Sequence, residues 1–97
     1  MATFPYLFKN DIPADGDTTS WDAFIDKLRR GGHFIGGGAL GDGCVRKLET
    51  TTDDISDQLA GYMVVTAESL QEAKALLDEC PTIRGGGSVE VRRVPEA

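Results

Sequence analysis

The chain has one histidine, two cysteines and no long apolar run. A single histidine excludes a multi-histidine metal site within one chain. Cys44 and Cys80 are too few for a disulfide scaffold. A spanning helix needs roughly 20 consecutive apolar residues, and none occur; the amino terminus also lacks the basic-then-apolar pattern of a signal peptide. Positive charge is scarce. Ten Lys and Arg stand against 16 Asp and Glu, giving a formal net charge of −6. That balance works against nucleic acid and anionic membranes, which are both held by clustered cations. The pairs Arg29-Arg30 and Arg92-Arg93 are too isolated to form a basic stripe. The expectation is a cytoplasmic protein with neither a nucleic-acid nor a membrane partner. With 97 residues, 40% hydrophobic and 27% charged, it should form a single globular domain over 1–97.

Hydrophobic patterning predicts alternating strands and helices. The segment TFPYLFK (3–9) is short and aromatic and reads as a strand. A polar loop with Pro13 and Gly16 follows. Trp21, Phe24, Ile25 and Leu28 then recur at helical spacing, with Thr19 or Ser20 as cap and Gly31-Gly32 as stop. HFIGGGAL (33–40) reads as a strand interrupted by glycine, and CVRKLET (44–50) should pair back on it as a hairpin. Residues 51–60 are polar and acidic and read as a loop, with room for one helical turn. GYMVVTA (61–67) is a β-branched strand leading into the capping box Ser69-x-x-Glu72. Leu70, Ala73, Leu77 and Cys80 continue as a helical stripe that Pro81 ends. SVEVRRV (88–94) closes the chain as an alternating strand. The order β-α-β-(β)-β-α-β predicts an α+β, ferredoxin-like domain with one antiparallel sheet and both helices on one face. The bare face calls for a cover, and at this size a second copy is the expected partner.

Several motifs dissolve on inspection. Gly36-x-Gly38-x-x-Gly41 matches a dinucleotide fingerprint as a string, but a turn and a strand follow it instead of a helix. Cys44 stands where a phosphate-binding loop requires Lys. Asp11, Asp15, Gly16 and Asp22 fit calcium-loop spacing, yet Pro13 occupies a ligand position and no incoming helix precedes them. Cys80 belongs to the core stripe, Cys44 has no adjacent base, and Ser69 is a cap. The chain is expected to use neither metal nor cofactor.

GYMVVTAESLQEAKALLDECP (61–81) followed by GGSVEVRRV (86–94), together with GGHFIGGGAL (31–40) and YLF (6–8), resembles the YCII-related, DGPF-type family of small bacterial proteins. The resemblance implies a dimeric ferredoxin-like α/β barrel with a pocket between the two sheets. It implies no settled activity, although a few relatives act on substituted aromatic or lactone compounds. Two family features are missing. Asp53-Asp54-Ile55-Ser56-Asp57 stands where the Asp-Gly-Pro-Phe motif is found, and Trp21 occupies the neighbourhood of a His at the start of the first helix. With them goes the His/Asp pair usually proposed as catalytic.

Strand parity supplies other candidates. If Phe34 faces the helices, His33 faces the opposite side. Val89 and Val91 facing the helices would send Glu90 and Arg92 to that same side. Two readings stand side by side. Glu90 and Arg92 can form an ion pair at a dimer interface, or they can line a polar pocket with His33 as acid/base, Arg92 as anion clamp and Tyr6 or Tyr62 on the wall. The function expected is that of a homodimer with a small-molecule ligand. It would be either a cofactor-free isomerase- or lyase-type enzyme acting on a small organic anion or lactone, or a non-catalytic ligand-binding or regulatory module.

Overall fold

The computed structural model describes residues 1–12, 20–46, 48–49, 51–52 and 58–95. Four strands make the main sheet: β1 (Ala2–Lys9), β2 (Phe34–Ala39), β5 (Leu59–Ala67) and β6 (Val89–Val91). Their order is β2-β5-β1-β6, with every neighbour antiparallel. This is the ferredoxin-like arrangement. The strongest patterns in the sequence take the central places, because a strand flanked on both sides needs an unbroken hydrogen-bond ladder and a continuous apolar face.

Alternation decides what each face carries. Phe4, Tyr6 and Phe8 of β1 are buried, as are Met63, Val65 and Ala67 of β5. Opposed residues share a face, so the register Tyr6↔Val91, Leu7↔Glu90 and Phe8↔Val89 puts Val89 and Val91 on the core side and Glu90 on the other. Helix α1 (Trp21–Arg30) lays Phe24 and Leu28 on this core. Each such side chain contributes about 1.5–3 kcal/mol through burial. Ser20 caps α1 by accepting from the Ala23 amide, Lys27, Arg29 and Arg30 sit in its last turn, and Gly32 leaves it at φ +77°, a conformation that favours glycine.

The second helical stripe is broken up. Helix α2 (Leu70–Ala75) is capped by Ser69, passes into a 3₁₀ turn at Leu76–Glu79, and Pro81 opens a further short helix, α3 (Pro81–Arg84). Pro81 therefore both ends one helix and starts the next, as a first-turn proline can. Ala73, Leu77 and Cys80 are buried as the stripe predicts, while Leu70 stays exposed.

One expected pairing does not form. Val45–Arg46 (β3) pairs with Thr51–Thr52 (β4) in a separate two-stranded ladder and not with β2. β2 offers a neighbour little: Gly36, Gly37 and Gly38 bring no side chains to cross-strand pairing, and the register slips between Phe34 and Gly36. The segment 53–57 and the loop breakers Pro13 and Gly16 lie outside the described residues.

Candidate functional site

Where β1 ends and α1 begins, the helix and the sheet do not close on each other. They leave a cavity of about 450 Å³. Its floor is made of small residues, Gly37, Gly38 and Ala39 of β2 beside Ala60 and Gly61 of β5. Gly37 has to be glycine, since a Cβ there would lie 2.5 Å from the Tyr62 carbonyl oxygen and 2.9 Å from Met63 Cα. The two strands thus approach closely, and among the described residues no side chain rises to fill the space above them.

Aromatic rings form the walls. Trp21, the first residue of α1, meets Phe8 edge-on at 5.2 Å between centroids and Phe24 at 6.0 Å. Such tilted pairs match positive ring edges to negative ring faces. Phe34 closes another side, and the Arg29 guanidinium lies 5.0 Å from its centroid. Polar groups reach the cavity at Lys9, Asn10 and Thr82. Among the described residues, Lys9 is the one ionised side chain on the wall, and its Nζ lies 3.2 Å from Glu90 Oε1.

The residues singled out from the sequence do not assemble here. His33 is half-buried at the margin of β2; its Nδ1 lies 2.7 Å from the Thr66 carbonyl oxygen, so in the neutral ring Nδ1 carries the proton and donates. Glu90 lies on the uncovered face, held between Lys9 and Arg92 Nη1 at 3.3 Å. The bonds from Lys9 and its positive charge, then those from Arg92, hold the Glu90 carboxyl below the usual range. Arg92 is well exposed. The Glu90–Arg92 ion pair is therefore present within one copy, with Lys9 as a third member that parity alone did not place.

Tyr6 corrects the expectation that it lines a pocket on the open face. It alternates in phase with Phe4 and Phe8, is fully buried on the helix side, and its hydroxyl donates to the Ala73 carbonyl oxygen at 2.5 Å. Burial pushes its phenol well above the ordinary value. Burial likewise pushes the Cys80 thiol up, as befits a core residue. Tyr62 pairs with Leu7 and Gly38 on the uncovered side, is partly exposed, and borders the cavity.

A family model for the YCII-related domain matches residues 18–97. The chain belongs to the YCII family. Among solved structures, the YCII protein is similar to the 5-chloro-2-hydroxyhydroquinone dehydrochlorinase (TftG) of Burkholderia phenoliruptrix AC1100, solved in complex with 2,5-dihydroxybenzoquinone. The TM-score is 0.55 at 18% identity, over 98% of this chain and 95% of that one. The likeness is one of fold. No curated protein matches. Within the YCII frame, Trp21 puts an apolar ring on the cavity wall at the start of α1. The sequence signals for this cavity were the run Gly36-Gly37-Gly38 and that tryptophan, and neither showed that the two would face each other. No helix among the described residues is long and apolar enough to cross a membrane.

Proposed function

We propose that the protein is a homodimeric YCII module that binds a small, flat, uncharged organic ring between α1 and the sheet. The cavity carries this reading. Its volume of about 450 Å³ falls within the roughly 300–1,000 Å³ typical of small-molecule sites. Its walls are aromatic and its floor is nearly bare backbone, so a planar ring gains stacking and edge contacts without displacing a side chain. Lys9 is already paired with Glu90, so the described residues offer an anionic ligand no free counter-charge at the wall. The dehydrochlorinase of similar fold, solved with a quinone bound, supports a flat ring; the lack of charge rests on the Lys9–Glu90 pair alone.

The uncovered sheet face supports the dimer. Pro5, Leu7 and Val64 lie there half-buried, beside the partly exposed Tyr62. At about 25 cal/mol per Å² of apolar surface removed from water, a second copy laid over them would be held firmly. Sedimentation equilibrium at micromolar concentration should give twice the chain mass of 10.4 kDa, and Val64→Glu should give the single mass. Trp21 is the only tryptophan, so its emission reports the cavity directly. Catechol should change it saturably and benzoate should not. A wild type that responds to no neutral ring refutes the binding reading.

A second reading keeps cofactor-free proton transfer on a small organic anion or lactone. Its support is that Glu90 and Arg92 share the open face by register, with His33 at the sheet's opposite edge. A two-fold partner laid across that face, with β2 over the opposite β6, would bring His33 towards the partner's Arg92. On this reading His33→Gln abolishes turnover of small lactones while the dimer persists.

A further inference from the structure

Of residues 9–12, three line the cavity: Lys9, Asn10 and Ile12. Asp11 does not, and both of its carboxylate oxygens are engaged elsewhere. Oδ1 accepts from the Ser88 amide at 2.8 Å, and Oδ2 accepts from the Ser88 hydroxyl at 2.7 Å. A carboxylate bound through both oxygens holds its partner more tightly than a neutral acceptor would. The Ser88 bonds are also the main reason the Asp11 carboxyl lies below its usual range.

Ser88 joins the two sides of the cavity mouth. Its carbonyl accepts from the Lys9 amide at the end of β1 at 3.0 Å, and on the far side the neighbouring Gly87 amide donates to the Thr82 carbonyl at 2.8 Å. Thr82 is buried and lines the same cavity. Gly87 is squeezed between the two sides. A Cβ on it would lie 2.8 Å from Ile12 Cγ1, 3.0 Å from Asp11 Oδ1 and 3.1 Å from Thr82 Cγ2. Ile12 and Thr82 therefore close on each other across a bare α-carbon. Beyond Asn10, the two bonds to Ser88 are what hold this strand exit among the described residues.

We propose that Asp11 is a positioning residue that latches the cavity mouth, holding Ile12 against Thr82 through Ser88. Its consequence for a ligand rests on the cavity being the binding site. The latch itself does not.

Acrylamide quenching of Trp21 emission in the full chain tests the latch with no ligand present. Asp11→Ala should raise the quenching constant about twofold, because a released strand exit opens locally. Asp11→Asn can still accept from the Ser88 amide and donate to the Ser88 hydroxyl, and should stay near wild type. That rescue separates positioning from a general loss of structure. Catechol affinity should fall about tenfold in Asp11→Ala and little in Asp11→Asn, tenfold being about 1.4 kcal/mol. Quenching in Asp11→Ala equal to wild type overturns the proposal. If Asp11→Ala does not fold, Ser88→Ala, which removes only the hydroxyl bond, decides: raised quenching supports the latch and unchanged quenching overturns it. Raised quenching in a protein whose wild type binds no catechol supports the latch and removes the ligand reading instead.

Discussion

His33 and Arg92 stand at opposite edges of the sheet. With the order β2-β5-β1-β6, three gaps of about 4.8 Å separate the outer strands, roughly 14 Å in all. A small substrate does not span that distance. A proton carrier at His33 and a charge clamp at Arg92 therefore cannot act on one molecule within a single copy. The cavity on the other side of the sheet needs no such reach, because Trp21, Phe8 and Phe34 already meet around one space.

Acid should weaken the fold through two exposed carboxylates. Asp11 and Glu90 both titrate below their ordinary values of 3.8 and 4.5 in the folded chain. A depressed folded value means stabilisation that is fully present above the unfolded value and lost as pH falls through the folded one. The melting temperature should thus hold steady down to about pH 5 and decline below it. Glu90→Gln and Asp11→Asn should each make that decline shallower, and added salt should do the same for Glu90, whose partner Arg92 is well exposed. Melting curves across pH 3–7 in the two variants check this; slopes identical to wild type would contradict it.

Tyr6→Phe should cost about 1–3 kcal/mol in urea denaturation. The substitution keeps the ring and removes the donor to the Ala73 carbonyl, which then stays buried without its partner. Dimer mass and the Trp21 response to catechol should be unchanged, because the Tyr6 ring faces the core and does not line the cavity. A variant that lost ligand response while keeping stability would return Tyr6 to the binding site.

The main strands and α1 were legible because their periodicity is strong and each buries one clean face. The open-face positions of Glu90 and Arg92 followed from parity alone, since Val89 and Val91 could hardly face outward. Tyr6 was legible too, because it alternates in phase with Phe4 and Phe8; only its hydroxyl pointed to a pocket. Two things were not legible. The partners of 44–50 depend on an edge strand whose glycines leave no cross-strand signal. The cavity arises where a glycine floor meets the first turn of α1, and no one-dimensional pattern encodes an absence of packing between two distant segments.

Two adjacent glycines in β2 should respond oppositely to alanine. Gly37→Ala drives a Cβ into backbone atoms of β5 and should cost about 1–3 kcal/mol through strand displacement. A Cβ on Gly36 would meet nothing within 4 Å among the described residues, so Gly36→Ala should stabilise by about 0.4–1 kcal/mol through a less mobile unfolded chain. Chemical denaturation of both variants measures the contrast. A Gly36→Ala as damaging as Gly37→Ala would mean that a second copy packs tightly on that point of the open face.

Ala39→Leu should separate ligand binding from folding. Ala39 pairs with Gly61 on the helix-covered side, lines the cavity, and is exposed to it. A leucine there enters space that no described side chain occupies, so the overpacking that usually penalises larger residues should not arise. Its added carbons gain burial instead, about 0.8 kcal/mol for each methylene removed from water. The melting temperature should hold or rise, while the saturable change of Trp21 emission with catechol disappears. The dimer should keep its mass, since the substitution lies on the face opposite Leu7 and Val64. Catechol binding that survives in a stably folded Ala39→Leu would move the ligand out of this cavity and onto the open face where Glu90 and Arg92 lie.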